Sequence, residues 1–425
     1  MTAPVDKTTT AAPLDKADRP RCPVEIDLIN PDTFENGLPL EQFAAMREAA
    51  PVFWHDQPGS WGEGFWVVTR HADVQEVSRQ PEVFSSYERG ALLHTGSDQD
   101  EEQALQMTRM LMLNMDPPEH SQYRNIVQRA FTPRTIRNLE TRLVEFAGDI
   151  VDRALAKGEG DFVRDVAAEM PLLAICELIG VPAEDRTKIF DLSNRLIGFD
   201  DPEFRTTPDD AQLASMEMYM YADGIAAARR ECPADDIASK LLAAEVDGGA
   251  LTQEQFDVFF LLLSVAGNET TRNAISHGMQ AFFDNPDQWE LFKKDRPLDS
   301  AVEEIIRWGT PVIQFQRTAL SDYALGGQTI AKGDRVAIYY SAANRDDTAL
   351  DRPDTFDVTR ENNEHIAFGG GGPHFCLGAN LARAEIRIMF DVIADRMPDI
   401  RPLGPPRMLR SMFINGIKEI PVAYS

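Results

Sequence analysis

The chain has 425 residues, 43% of them hydrophobic, which is enough to bury a large core without cross-links, and its formal net charge is −27. That acidity argues against nucleic acid as a partner, because phosphate binding needs clustered Lys and Arg. The four cysteines (Cys22, Cys176, Cys232 and Cys376) lie far apart and form no CxxC pair. They fit a reducing cytosol rather than a disulfide frame or a structural zinc site.

Residues 1–22 begin with a mixture of Thr, Ala, Pro and charges that lacks an apolar stretch, and they read as a disordered tail with no secretory h-region. Residues 23–425 contain no flexible internal linker and read as one domain. Phe65 to Thr69 is a β-branched and aromatic run that predicts a strand. The turn Asp116-Pro117-Pro118 opens a helix that carries His120 and Arg124 four apart, on one face suited to an anion. Arg124, Arg129, Arg134 and Arg137 form a basic island in an acidic chain, a docking site for an acidic partner by charge complementarity. Between Ile136 and Leu155 apolar residues recur at helical steps. A long helix pattern runs from Leu251 to Phe283, starting at Thr252 and Glu254 and stopping before Asn285-Pro286. Its apolar stretch, Phe256 to Gly267, is too short for a membrane span and contains Asp257, so the protein is read as soluble and cytoplasmic. Arg335 to Tyr340 predicts a second strand, and Leu377 to about Met397 a last helix.

The segment Phe368-Gly369-Gly370-Gly371-Gly372-Pro373-His374-Phe375-Cys376-Leu377-Gly378 is the most informative. Four consecutive glycines are a poor helix or strand interior, so the run serves a close approach or an unusual backbone path. Cys376 then stands at a helix start, where free amides and the dipole favour a thiolate. The same amides tune a metal held by that sulfur. A phosphate loop is the other reading of glycines before a helix, but neither GxGxxG nor Gly-Lys-Ser/Thr is present.

This segment resembles the haem-binding signature of the cytochromes P450: a Phe, spaced glycines, a basic residue two before the Cys and a Gly two after it. It departs from the commonest form by one residue, since eight steps rather than seven separate Phe368 from Cys376. The resemblance makes Cys376 the axial ligand, with Phe368, Gly369 and Gly378 beside the haem. Ala266-Gly267-Asn268-Glu269-Thr270-Thr271, whose residues are poor choices for mid-helix stability, resembles the family's oxygen-activation motif. Its Ala266 and Gly267 would then lie against the haem, and Glu269 and Thr270 would relay protons beside a gap in the helix ladder. Glu304 and Arg307, neighbours on one helix face, resemble the family's buried pair; with Arg360 they are assigned to structure and haem retention. His120, Arg124, Arg317 and His374 occupy positions similar to the family's propionate contacts.

The resemblance runs from about Pro39 to the C-terminus. It implies a mainly α fold with a small β-rich region and haem b (iron protoporphyrin IX) between two long helices. It also implies O2 as cosubstrate and insertion of one oxygen atom into a C–H bond of an apolar substrate. The chain has no flavin or Fe–S motif of its own, so electrons from NAD(P)H would arrive through ferredoxin reductase and ferredoxin. The strings Ala-Gly-Asn-Glu-Thr-Thr-Arg-Asn and Gln316-Arg317-Thr318, with the eight-step loop, are similar to a bacterial subgroup that oxidises terminal methyls of sterol side chains and methyl-branched lipids. Leu92, Leu93, Val265, Ala266, Val312, Phe315, Met412 and Phe413 are the candidate pocket wall, which would accept a long apolar molecule. Terpenoid hydroxylation is the alternative within the family. A haem-thiolate peroxygenase and a haem-based sensor or carrier are the readings from other classes, and neither needs the Glu269–Thr270 pair.

Overall fold

The structure, a computed structural model, describes residues 15–59, 63–93, 105–106, 108–197, 200–204, 207, 209–246 and 249–425. Most of it is helix. The elements that place the site are the helices α1 (His71–Ser78), α2 (Glu119–Val127), α3 (Pro133–Lys157), α4 (Glu169–Ile179), α5 (Arg186–Ile197), α6 (Asp210–Glu231), α7 (Gln253–Asp284), α8 (Leu298–Gly309) and α9 (Ala379–Arg396).

The helix ends follow from local chemistry. Thr252 starts α7 with a reciprocal capping box: its hydroxyl accepts from the Gln255 amide at 3.2 Å, and the Gln255 side chain accepts from the Thr252 amide at 2.8 Å. The helix stops at Asn285, ahead of Pro286. Thr132 caps α3 with Pro133 in the first turn, and Gly158 closes it at φ 77°. Packed against α7 are α4, α6, α8 and α9, while α9 also packs on α3. Their facing apolar residues, among them Ile175, Phe260, Ile275, Met279, Ile305 and Phe390, make the principal core.

The β-rich side is a five-stranded sheet of β1 (Val52–Asp56), β2 (Gly64–Val68), β3 (Phe84–Ser85), β4 (Gln314–Ala319) and β5 (Arg335–Tyr339). Its order is β1-β2-β5-β4-β3. Only β5 and β2 run parallel, Ala337 lying opposite Val67; the other pairs are antiparallel. Both predicted strands and all of the predicted long helices are present.

The expected tail needs correction at its inner end. Residues 1–14 lie outside the described residues and residues 15–18 are exposed, but Arg19 to Cys22 lie against the sheet, Arg21 bridging Trp54. Arg19 is 6% exposed, with its guanidinium 4.1 Å from the Trp54 ring centre and paired to Asp334 at 3.0 Å. The Trp66 indole donates to the same carboxylate at 2.9 Å. Composition signals low hydrophobicity here, yet one arginine whose charge is paired and whose plane covers two indoles is enough to seat the segment.

Candidate active site

A cavity of about 260 Å3 lies between α7 and α9. The Cys376 loop forms part of its wall, with α2 and β4 contributing further side chains. Cys376 is open to this cavity. Its own amide donates to the Phe368 carbonyl at 2.8 Å, which pins the loop into a closed turn. Burial pushes the Cys376 thiol up, while the Gly378 and Ala379 amides at the start of α9 and the Arg124 and Arg383 guanidiniums pull it down. Every stabiliser of the thiolate that sequence reasoning looked for is therefore in place.

The glycine run has two jobs. Gly369, Gly371 and Gly372 adopt φ of 99°, 93° and 76°, the left-handed region that side chains disfavour. At Gly372 a Cβ would also stand 2.2 Å from the Ser78 carbonyl oxygen, so the loop lies directly on the end of α1. Arg79 ties it there by donating to the Gly370 carbonyl at 3.1 Å. The residue that lengthens the Phe368–Cys376 interval is absorbed in this docked turn.

His120, Arg124, Arg317 and His374 all face the cavity, as their spacing and family positions predict. The His120 and His374 rings are 4.2 Å apart, and Ser86 meets His374 Nε2 at 3.1 Å. Arg317 is 4% exposed and donates to the Gln316 carbonyl at 2.7 Å, while Arg124 donates to the Phe375 carbonyl at 2.6 Å. Burial and the neighbouring cations push His120 down to about 4 and His374 well below the usual imidazole range. Asp116 opposes them, but its oxygens already accept from the Ser85 hydroxyl and the Ser86 amide. The cluster is thus a surplus of buried hydrogen-bond donors with too few acceptors, and His120 Nδ1 has no partner at all. An anionic group reaching this rim would gain charge-assisted bonds of about 1.5–3 kcal/mol each. A flat apolar ligand bearing carboxylates fits the wall, the rim and the sulfur together.

Ala266, Gly267 and Thr270 are on the cavity wall with Thr271 and Ala274, whereas Glu269 is not. Glu269 is fully buried in an ion pair with Arg272 at 2.5 Å; Arg272 in turn donates to Asn194 of α5 at 2.9 Å. Burial raises the Glu269 carboxyl despite that cation. The gap expected in the ladder is not a break: α7 is continuous, and the Thr270 hydroxyl donates to the Ala266 carbonyl at 2.9 Å.

Of the candidate pocket residues, Ala266, Val312 and Phe315 line the cavity. Leu93 and Met412 instead sit in the core beneath the sheet, and Leu92 is half-buried away from the wall. Val265 and Phe413 pack around Leu409 and Ile414, with the Phe413 ring 5.5 Å from Phe315, one layer behind the wall. Apolarity alone cannot separate wall from core. The reading missed Leu113, Phe131, Ile175, Leu262 and Pro311, which do line the cavity; only the helical register of Leu262 with Ala266 offered a signal.

Below the Cys loop, Glu304 accepts from Arg307 Nε at 2.7 Å and from Arg360 Nε at 2.9 Å. It also takes the Asp357 amide at 2.8 Å and the Asn363 side chain at 3.0 Å. All three predicted members are buried. Sequence reasoning missed the adjacent clamp, in which Glu303 holds Arg383 at 2.6 Å and His365 at 2.9 Å and is itself drawn down to about 2. Of the basic island, Arg124 turns to the cavity, while Arg134 and Arg137 are exposed on α3; the Arg129 side chain lies outside the described residues. No helix among the described residues is long and apolar enough to cross a membrane.

The sequence matches a family profile described as Cytochrome P450 over residues 184–394. It is 51% identical over 410 residues to a steroid C26-monooxygenase of Rhodococcus jostii, covering 96% of this chain and 86% of that protein. To a methyl-branched lipid omega-hydroxylase of Mycobacterium bovis it is 42% identical over 394 residues, or 90% of each chain. Among solved structures, a Mycobacterium marinum cytochrome P450 in complex with pseudoionone superposes with a TM-score of 0.88 at 38% identity, over 96% of this chain and 99% of that one.

Proposed function

This chain belongs to the cytochrome P450 family and is a haem-dependent monooxygenase that draws electrons from redox partners, and on that premise we propose that it hydroxylates a terminal methyl group of a sterol side chain or methyl-branched lipid. The observation that carries the reading is the Cys376 sulfur, presented to a largely apolar cavity whose rim is cationic.

The residues present fit haem b. Cys376 would ligate the iron, while His120, Arg124, Arg317 and His374 would hold the propionates. When bound, the haem would supply the dioxygen activation that no side chain can, and thiolate ligation by Cys376 would favour it. The rest falls to the chain. The Gly378 and Ala379 amides favour the thiolate form of the sulfur against the burial that pushes its thiol up. Ala266 and Gly267 keep α7 thin beside the cavity. Thr270 and Thr271 offer the hydroxyls of α7's hexapeptide that face the substrate space, and Thr270 hands on a proton there. Glu269 supplies that proton by a side-chain rotation that exchanges Arg272 for Thr270. Leu113, Leu262, Val312 and Phe315 exclude water and select a long apolar substrate. Electrons from NAD(P)H come through a ferredoxin, for which the exposed Arg134 and Arg137 on α3 are the charge-complementary dock. The similarity to a steroid C26-monooxygenase and a methyl-branched lipid omega-hydroxylase supports this substrate class over a terpenoid.

Spectral titration of the ferric protein tests it. A 3-keto sterol or a methyl-branched fatty acid is expected to shift the Soret band at low concentration. A response to a monoterpene alcohol alone would transfer the enzyme to the terpenoid class. Turnover with peroxide but not with ferredoxin, its reductase and a nicotinamide would make it a peroxygenase. Loss of the thiolate-type carbon monoxide spectrum in Cys376→Ser is required throughout.

A further inference from the structure

Among the described residues, the carboxyl side chain on the cavity wall is Glu385 of α9, nine residues beyond Cys376 and flanked by Leu381, Ala382 and Ile386. It is 1% exposed, and its Oε2 has no hydrogen-bond partner. The buried carboxylates Glu269 and Glu304 on the facing helices are each matched by a cation. On α9 itself Arg383 is held by Glu303 of α8, Arg387 by Glu140 of α3, and Arg396 by Asp152 of α3. Asp391 and Asp395 are paired with Arg296. On the facing elements Glu304 has Arg307 and Arg360, Glu269 has Arg272, Glu169 and Glu177 of α4 have Arg153 and Arg186, and His277 of α7 contacts the Asn415 carbonyl. None is bonded to Glu385, and burial alone acts on it, pushing its carboxyl well above the usual range. An isolated carboxylate in such a place is strongly penalised and escapes the penalty by keeping its proton.

We propose that Glu385 is a neutral carboxylic acid in the working enzyme and a positioning residue for reduction, keeping a second negative charge off the cavity wall that it shares with Cys376. The proposal rests on haem binding through Cys376. Near neutral pH, the site accepts one electron from an external ferredoxin-type donor and Glu385 exchanges no proton. In alkaline medium, where the carboxyl is ionised, the same one-electron reduction takes up one proton from water at a Glu385 carboxylate oxygen.

The experiment is a pH series of midpoint potentials on the holoenzyme and Glu385→Gln, with redox-triggered infrared difference spectra of both in H2O and D2O. The thiolate-type carbon monoxide spectrum is recorded first; its absence from wild type would refute the haem assignment rather than the role of Glu385. Equal potentials at neutral pH, with only wild type falling on the alkaline side, support the proposal. So does a protonated-carboxyl C=O band, sensitive to D2O, that the variant lacks. A variant potential higher by about 59 mV or more at neutral pH, a tenfold change in a one-electron equilibrium, would show an ionised Glu385 and overturn it. A wild-type potential that stays flat through the alkaline range also overturns it. Should Glu385→Gln not fold, the wild-type C=O band and pH dependence decide alone, and absence of either sinks the proposal.

Discussion

Replacing Glu304 with Ala removes one carboxylate and strands two guanidiniums. Arg307 and Arg360 are both buried, and Asp357 and Asn363 lose an acceptor at the same time. Breaking a buried pair by deleting one partner costs about 3–5 kcal/mol, because the remaining charge is desolvated without compensation. Arg307 retains the Asn344 and Pro353 carbonyls, and Arg360 the Arg352 and Thr355 carbonyls, which keeps the loss inside that range. At about 2.1 cal/mol/K of unfolding entropy per residue, a chain of 425 residues changes Tm by roughly 1 °C per kcal/mol. Thermal unfolding followed by circular dichroism should therefore show a fall of about 3–6 °C, with retained haem falling in parallel as the support beneath the Cys loop slackens. A Tm within about 1 °C of wild type would refute the view of Glu304 as the hub of a desolvated network, because its loss would then leave no stranded charge.

Gly372→Ala should destabilise by upward of about 2 kcal/mol and lower haem per chain, since it adds left-handed strain and a clash with the Ser78 carbonyl. Gly327→Ala, at φ 80° with nothing near its Cβ, isolates the strain alone and should cost less in a denaturant titration. Burial holds His277 neutral, down to about 4. Its folded value is depressed, so unfolding takes up its proton preferentially: the penalty is absent above about pH 6.5, grows to roughly 2 kcal/mol by about pH 5, and is complete below about pH 4. His277→Gln should flatten that acid limb in urea melts between pH 7 and pH 5; an unchanged slope would place the acid sensitivity elsewhere. Thr270→Ala should reduce product formed per electron pair by roughly tenfold or more, measured as product against nicotinamide oxidised, with equal coupling in the two proteins the outcome that refutes a proton role.

The helices were legible because their caps and apolar spacing agree: Thr252 with Gln255, and Pro286 after the end, bracket α7 before any contact is known. The Cys loop was legible because four glycines before a cysteine have few uses, and the structure spends them on left-handed turns and the approach to Ser78. Glu304, Arg307 and Arg360 were legible only through the resemblance to the family, since a Glu and an Arg three apart occur in many helices. The orientation of Glu269 was not. Successive helical residues diverge by about 100°, so adjacency to Thr270 itself sets the two on different faces, and which face meets the cavity depends on tertiary packing. Five of the eight pocket candidates lie off the wall for a related reason, since Leu93 and Met412 are as apolar as a wall but serve the core. Glu303 offered no signal of its own, and only the fold brings Arg383 and His365 to it.

Arg19 joins a stretch of unremarkable composition to the sheet whose next strands carry Phe315 and Arg317. Its grip on Asp334 and the two indoles sets one edge of that sheet, and the sheet sets where the cavity's aromatic wall and one of its anion-holding cations stand. Length or sequence variation before residue 20 is thus a remote adjustment of pocket stiffness, reached without altering a single residue that the substrate touches. Truncations that reach Arg19 would remove this lever, and would report as changes in affinity rather than as failures to fold.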